Sequence, residues 1–105
     1  VRGRPLYAED IESALERSGD SLGVTRAVAL PIEVDGCEAL GILVECIRKR
    51  GAAKTSKSIV SHVTEHVCAA SGVLPSAVVV VAHGQLPLTT SGKVRRSECQ
   101  KYFAD

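Results

Sequence analysis

Apolar positions recur with helical spacing in the first segment of the chain, YAEDIESALERSG. The residues that share one helix face at i, i+3, i+4 and i+7 are Ile11, Ala14, Leu15 and Ser18. Glu12 lies near the positive N-terminal end of this helix, and Gly19 is a residue type that commonly ends helices. The pattern predicts an amphipathic helix that ends at about residue 19.

Two β-rich runs follow, at about residues 26–34 and 39–47. Asp35-Gly36 between them is a dipeptide that favours a tight hairpin turn. Pro31 has no backbone N–H to donate, so the first run is expected at a sheet edge or at a bulge. We therefore predict a β-hairpin whose first strand is an edge strand or is bulged.

The second half of the chain predicts a helix, a strand and a short helix. SKSIVSHVTEHVCAASG reads as a helix that Thr55 or Ser56 caps and Gly72 ends. AVVVVAH, residues 77–83, is a continuous apolar run, which is typical of a strand covered on both faces. VRRSECQKYF forms an amphipathic helix whose residues available for burial are Val94, Cys99, Tyr102 and Phe103.

This order of elements predicts an α+β fold. A helix between the second and third strands can act as a crossover packed on one face of the sheet. We expect a small three-stranded sheet, made of the hairpin plus the crossover strand, with helices packed against it. At 105 residues the chain forms one domain over 1–105, long enough to bury its own core.

Charge and hydropathy exclude several function classes. With 13 Lys and Arg against 12 Asp and Glu, the net charge of +1 gives no bulk field that would recruit nucleic acid or an anionic membrane. No apolar run approaches the roughly 20 residues that span a bilayer. The first residues, VRGRPLYAED, lack the apolar region of a secretory signal and an initiator Met, which predicts a piece of a longer chain.

The four cysteines contain no CxxC pair, the spacing that many zinc sites use. We interpret them as reduced, mostly buried small hydrophobic residues, and this favours a cytoplasmic location because thiols stay reduced there. They are Cys37, Cys46, Cys68 and Cys99.

HVTEH, residues 62–66, matches a pattern of zinc peptidases in which two histidines bind zinc and the glutamate activates water. At about 100° per residue, His62 and His66 fall on the flank of the apolar helix face and Glu65 nearly opposite to it. A third protein ligand is also required, and few acidic residues follow. We therefore predict a solvated helix surface here and no metal site.

The loop after the third strand, LPLTTSGKVRR, concentrates hydroxyls, a glycine and cations. Gly92 lets another molecule approach the backbone closely, and the Lys93 ammonium can reach from its flexible stem into an anionic site. The loop hydroxyls that can bond phosphate or the loop itself are those of Thr89, Thr90 and Ser91. From the residues alone, a polar turn in which Thr90 or Ser91 caps the last helix is the alternative.

Two other phosphate-binding explanations fit less well. A P-loop requires a glycine where this chain has Pro87 and a Ser or Thr where it has Val94. The basic clusters at residues 48–50 and 93–96 lack interleaved aromatic residues and any pattern of a known RNA- or DNA-binding fold. A stand-alone basic module that binds nucleic acid or an acidic partner through Lys93, Arg95 and Arg96 is the rival hypothesis.

LPLTTSGKVRR resembles the C-terminal lysine motif of the adenylate-forming superfamily, whose pattern is close to LPxTxSGKxxR. This superfamily includes acyl- and aryl-CoA synthetases, peptide synthetase adenylation domains and luciferases. VRGRPLYAEDIE resembles the segment just beyond the hinge of these enzymes, and the strands of IEVDGCEALGILVE between the two motifs also fit. The resemblance spans essentially the whole chain.

The first motif is similar to the GRNxYPxDIE form of long-chain fatty acyl-AMP ligases, with Pro5 in place of Asn and Ala8 in place of Pro. The resemblance implies a C-terminal lid subdomain whose larger N-terminal domain binds ATP, Mg²⁺ and a fatty acid. Such an enzyme forms acyl-adenylate, releases pyrophosphate and passes the acyl group to the phosphopantetheine thiol of an acyl carrier protein or polyketide synthase. An acyl-CoA synthetase that uses coenzyme A is the alternative.

The resemblance also implies roles for particular residues. Lys93 would offset the charge that develops on the α-phosphate of ATP, with a loop supported by Thr90, Ser91 and Gly92. After adenylation the subdomain would rotate, and the residues it presents at the acceptor passage are Gly3, with Arg2 and Arg4 as contacts to phosphate or a carrier protein. The isolated 105-residue chain is expected to fold without adenylation activity.

Overall fold

The computed structural model of the chain describes residues 8–18, 23–47 and 56–103. In chain order the elements are α1 (Ala8–Ser18), β1 (Val24–Val34), β2 (Cys37–Cys46), α2 (Ser56–Ser71), β3 (Ala77–Ala82) and α3 (Arg96–Cys99), which a 3₁₀ turn over Gln100–Phe103 continues. The predicted α+β fold is confirmed, with a three-stranded sheet in the order β1-β2-β3. The predicted helix end at Gly19 and the predicted helix cap at Thr55 lie outside the described residues.

The hairpin of β1 and β2 turns at Asp35-Gly36, as the sequence predicts. Both residues have positive φ, 52° and 79°, which is the backbone of the tight turn that this dipeptide favours. β1 lies at the edge of the sheet, so the edge prediction from Pro31 is confirmed. The irregular pairing in β1 lies between Val24 and Arg26, away from the proline.

Helix α2 is the crossover between β2 and β3, which pair in parallel. Gly72 ends this helix with φ of +74°, as predicted, and Ser56 is its first residue. The valines of β3 pack alternately into apolar clusters on both faces of the sheet. The predicted two-sided covering is therefore confirmed, although the edge position leaves most of β3 half-buried.

The sheet separates two apolar cores because successive strand residues point to opposite faces. On one face, Leu15 of α1 and Val67 of α2 pack in a cluster with Ile42 of β2. On the other face, Leu43 of β2 lies in a second cluster, completed from beyond β3 by Leu86 and Cys99. Burial of one such aliphatic side chain stabilises the fold by about 1.5–3 kcal/mol. Leu86 therefore holds the loop after β3 to the sheet by hydrophobic packing.

Within the described part of the chain, the outer edge of β1 is covered by side chains and pairs with no further strand. An uncovered strand edge presents backbone groups that can pair with another molecule. Four side chains bind these backbone groups of β1. Two carboxylates of α1 accept from amides: Glu16 from Ala27 at 3.0 Å and Glu12 from Ala29 at 2.8 Å. Two later side chains donate to carbonyls: Arg96 to Ala29 at 3.0 Å and Gln100 to Pro31 at 2.9 Å. Side chains from α1 and from residues 96–100 thus meet at this edge.

The last helix is shorter than the predicted span of 94–103, since α3 is a single turn followed by the 3₁₀ turn. Cys99 is buried and Phe103 half-buried, as predicted. Tyr102 is 40% exposed, so its predicted burial is wrong. Its hydroxyl stays at the surface, where it donates to the carbonyl of Gln85 at 3.0 Å.

All four cysteines are free thiols. Cys99 is buried, and burial raises the pKa of its thiol. Cys37 at the hairpin turn and Cys68 on the outer side of α2 are exposed, so the prediction that the cysteines are mostly buried is wrong. Small apolar character alone did not fix their location.

HVTEH lies on α2 as the wheel geometry predicts. The rings of His62 and His66 stack with centroids 4.0 Å apart on the half-buried flank, and Glu65 is exposed. Within the described residues, no group of three or more His, Cys, Asp or Glu side chains is placed to hold a metal ion. In the same ranges, no helix combines the length and apolar character needed to cross a bilayer.

Candidate functional site: the lysine hairpin

The lysine hairpin, defined as residues 86–96, is a short antiparallel loop between β3 and α3. Leu88 and Val94 pair as an isolated bridge across it. Beyond that bridge, the amide of Thr89 donates to the carbonyl of Lys93 at 2.8 Å. These bonds give the loop a defined backbone that carries Lys93 at its tip.

Thr89 ties the turn of the hairpin together. Its hydroxyl oxygen accepts from the Lys93 amide at 3.1 Å and lies 3.0 Å from the hydroxyl of Ser91, and its carbonyl accepts from the Gly92 amide at 2.9 Å. Thr90, the predicted support, is exposed and its hydroxyl bonds no other described residue. Threonine in turns commonly bonds nearby backbone, but that signal does not distinguish two adjacent threonines.

Gly92 is required by the backbone of the turn. Its φ is +88°, a conformation that residues with a side chain rarely adopt. A Cβ at this position would meet no atom within 4 Å, so the glycine does not relieve crowding inside this chain. The approach of another molecule to this open side stays a prediction.

Lys93 is exposed at the tip of the hairpin. Within the described ranges, no carboxylate lies within salt-bridge distance of its ammonium, whereas Arg95 and Lys101 each pair with Glu98, at 3.9 Å and 3.2 Å. An unpaired cation on an ordered tip is available to an anion from another molecule or domain.

Arg96 fastens the C-terminal end of the hairpin to the body of the fold. One guanidinium nitrogen donates to the Ala29 carbonyl at 3.0 Å, and the other donates to the Glu12 carboxylate at 3.2 Å. The Glu12 side chain is 15% exposed, so this ion pair is only partly open to solvent. Two of its donor groups thus serve α1 and β1, and the hypothesis that gave Arg96 to an external partner stays a prediction.

The alternative in which Thr90 or Ser91 caps the last helix is wrong. The residue before α3 is Arg95, which makes no side-chain capping hydrogen bond. The hydroxyls precede the helix by several residues and belong to the turn of the hairpin instead.

Glu45 is a residue of β2 whose carboxylate is buried against the turn that leads into the lysine hairpin. Only 6% of the residue is exposed. One oxygen accepts from the Thr25 hydroxyl at 2.8 Å and the other from the Gly84 amide at 2.9 Å. His83 lies on the solvent side with its Nδ1 atom 3.7 Å from the carboxylate. Sequence reasoning missed this residue, although a charge inside the apolar run ILVEC was the available signal.

Opposing effects act on the Glu45 carboxyl. Burial acts to raise its pKa, but the hydrogen bonds from Thr25, Gly84 and Leu86 and the nearby His83 together hold the pKa below its ordinary value of 4.5. Because the pKa is lower in the folded state than in the unfolded state, the carboxylate stabilises the fold above the unfolded pKa. That contribution is lost as pH falls through the folded pKa.

We expect the difference in unfolding free energy between the wild-type chain and Glu45→Gln to narrow as pH falls from about 7 to about 3. The glutamine cannot titrate, so only the wild type loses the stabilising charge. Urea unfolding at a series of pH values measures this gap. A gap that stays constant over the range would contradict the lowered pKa.

The predicted acceptor-passage residues Arg2, Gly3 and Arg4 lie outside the described residues, and their role stays a prediction. The site that the structure does describe is therefore one exposed ammonium on a hairpin held at one end by Arg96 and at the other by Glu45.

No sequence-family model matches the chain. It is 32% identical over 105 residues to the medium-chain-fatty-acid–acyl-carrier-protein ligase JamA of Moorena producens, across 100% of its own length. It is 34% identical to the long-chain-fatty-acid–AMP ligase FadD23 of Mycobacterium tuberculosis, across 98% of its length. The chain belongs to the adenylate-forming superfamily.

Solved structures of adenylate-forming proteins have the same fold. McyG A-PCP complexed with phenylalanyl-adenylate superposes with a TM-score of 0.80 at 21% identity, over 98% of this chain and 18% of that one. The fatty acid AMP ligase from Legionella pneumophila superposes with a TM-score of 0.73 at 24% identity, over 92% of this chain and 17% of that one. The predicted fold of the C-terminal subdomain is confirmed.

The chain spans only part of the curated relatives that it matches. It covers 18% of JamA and 17% of FadD23. The adenylate-forming fold is thus established for this segment.

Proposed function

We propose that this chain is the C-terminal lid of a fatty acyl-AMP ligase in which Lys93 promotes formation of the acyl-adenylate. The observation that carries the proposal is the exposed Lys93 ammonium, which has no carboxylate partner among the described residues, on the ordered lysine hairpin. The end-to-end similarity to ligases of medium- and long-chain fatty acids supports the substrate class.

The proposed chemistry needs a positive charge that arrives with the lid. A fatty carboxylate oxygen attacks the α-phosphorus of ATP, and the bond to pyrophosphate breaks. Negative charge on the α-phosphate oxygens increases while two anions are brought together, and an ammonium placed beside them stabilises that state more than the separated reactants. Lysine suits this task because its charge is compact and its stem is flexible.

The remainder of a longer protein would supply the other groups. ATP, Mg²⁺ and the fatty acid would bind mainly to an N-terminal domain. No described residue of this chain is assigned as a magnesium ligand, since the acidic side chains at the hairpin serve the fold: Glu12 binds Arg96, Glu98 binds Arg95 and Lys101, and Glu45 binds the backbone.

For the second half-reaction we propose the phosphopantetheine thiol of an acyl carrier protein as the acceptor. The thiol sulfur attacks the acyl carbon and AMP leaves. The name of JamA includes an acyl-carrier-protein acceptor, which favours this choice over coenzyme A. Arg2, Gly3 and Arg4 are the proposed contacts at the acceptor passage.

The test uses the longer protein that contains this chain. We expect fatty-acid-dependent exchange of pyrophosphate into ATP, followed by thioester formation on a holo-acyl carrier protein at a higher rate than on coenzyme A. The isolated 105-residue chain serves as the matched negative control and should show no exchange.

Absence of exchange with every fatty acid would contradict the proposed reaction. Efficient transfer to coenzyme A with none to a carrier protein would contradict only the acceptor and would favour an acyl-CoA synthetase. The two results are separable because exchange reports the first half-reaction alone.

A further inference from the structure

The lysine hairpin is entered through a turn that the buried Glu45 side chain holds from inside the fold, while the Tyr102 hydroxyl bonds the same turn at the surface. After β3, the chain turns at residues 82–85, where the Gln85 amide donates to the Ala82 carbonyl at 3.1 Å. The amide of Gly84 in this turn donates to Glu45 at 2.9 Å. Leu86 follows directly and is 4% exposed in the core that Cys99 also enters.

We propose that Glu45 is a positioning residue for Lys93, whose carboxylate fixes the turn from which the lysine hairpin leaves the sheet. This inference rests on the proposed function, because it needs Lys93 to act in adenylation. Glu45 lies in β2, outside both sequence motifs of the superfamily that this chain resembles.

A carboxylate is suited to this position because donors approach it from two sides. The Thr25 hydroxyl of β1 bonds one oxygen at 2.8 Å, and the Gly84 amide bonds the other. An ionised carboxylate only accepts hydrogen bonds, and such charge-assisted bonds are roughly twice as strong as neutral ones. Glutamine keeps the size of the side chain but brings an NH₂ group among these donors.

The turn and the ammonium are connected by a stiff backbone. The Arg95 amide donates to the Pro87 carbonyl at 3.0 Å, and the Leu88–Val94 bridge continues the pairing toward the tip. With about 3.3 Å per extended residue, the tip stands about 10 Å from this base, so a tilt of about 10° would move it by about 2 Å.

Displacements of that size matter for a positioned catalytic group. A misplacement of about 1 Å can cost up to about 10²-fold in rate, but the flexible lysine stem absorbs part of the shift. We therefore expect Glu45→Gln to lower the rate of acyl-adenylate formation about tenfold, which is less than removal of the ammonium itself.

The test is a double-mutant cycle in the longer enzyme. Glu45→Gln is measured alone and in the Lys93→Ala background, with pyrophosphate exchange for adenylation and with supplied acyl-adenylate for thiol transfer. If Glu45 acts through Lys93, the tenfold loss appears only when Lys93 is present, and thiol transfer is unchanged. Glu38→Gln, an exposed carboxylate on the same strand, is the matched control and should retain the wild-type rate.

Three results would overturn the inference. Equal losses with and without Lys93, or equal losses in both half-reactions, would mean that Glu45 only maintains the folded fraction. An unchanged exchange rate in Glu45→Gln would exclude any positioning role. If instead Lys93→Ala alone has no effect on exchange, the proposed function itself fails, so the two failures are distinguishable.

Thr25→Val provides a second route if Glu45→Gln does not fold. It is nearly isosteric and removes the hydroxyl that orients the carboxylate from β1. We expect Thr25→Val to lower the rate of acyl-adenylate formation about threefold, and only when Lys93 is present. The loss is smaller than in Glu45→Gln because the bond from the Gly84 amide remains. A loss independent of Lys93 would again overturn the inference.

Discussion

Replacing Lys93 with alanine in the longer enzyme should lower the rate of acyl-adenylate formation by about 10²–10³-fold. The ammonium is the one charge of the hairpin tip, and among the described residues nothing else on that tip is cationic. Its removal leaves the turn intact, because Thr89 bonds the backbone amide of residue 93 rather than its side chain. Pyrophosphate exchange at saturating ATP and fatty acid measures the effect.

Two controls separate this loss from a general defect. Lys57→Ala removes an exposed lysine from α2 and should leave exchange within about twofold of wild type. Thiol transfer from supplied acyl-adenylate should also persist in Lys93→Ala, since the thiol attacks the acyl carbon and the proposed rotation of the lid after adenylation takes Lys93 away from the phosphate. Near-normal exchange in Lys93→Ala would remove the proposed catalytic role.

Truncation of Leu86 to alanine should lower the unfolding free energy of the chain by about 2–5 kcal/mol. The side chain is 4% exposed and packs with Leu43 and Cys99 beneath the start of the hairpin. A cavity at this point weakens the second core and the attachment of the hairpin together. Urea unfolding followed by far-ultraviolet circular dichroism measures the change.

Leu74→Ala is the matched control for this truncation. Leu74 is 65% exposed in the segment between α2 and β3, so the same chemical change should cost within about 0.5 kcal/mol. If both variants lose similar stability, the burial of Leu86 does not hold the hairpin to the sheet. A large difference assigns the loss to packing in the second core.

The elements of the fold could be predicted because their signals are local. Asp35-Gly36 specifies a turn backbone that few other dipeptides adopt, and Pro31 restricts its strand to the edge because it lacks a donor. Leu15 follows from the spacing of apolar residues on α1. Each of these signals lies within a few residues of the structure that it predicts.

The contacts that hold the candidate site could not be predicted in this way. Glu12 and Arg96 are 84 residues apart in sequence, and Glu45 and Gly84 are 39 apart. On the pattern of polar residues, Glu12 is a favourable charge at a helix start and Arg96 a surface cation. Only the sheet brings them together, so their pairing depends on topology rather than on any local preference.

The four side chains that cover the outer edge of β1 determine how shortened versions of the chain should behave. Two of the four side chains come from α1, and the other two are Arg96, the last residue of the lysine hairpin, and Gln100 beyond it. A fragment that stops before residue 96 would keep β1 and β2 but would leave the Ala29 and Pro31 carbonyls without these donors. A strand of a neighbouring molecule could then pair with this edge. Oligomerisation and precipitation, rather than simple unfolding, are then the expected fate of such fragments.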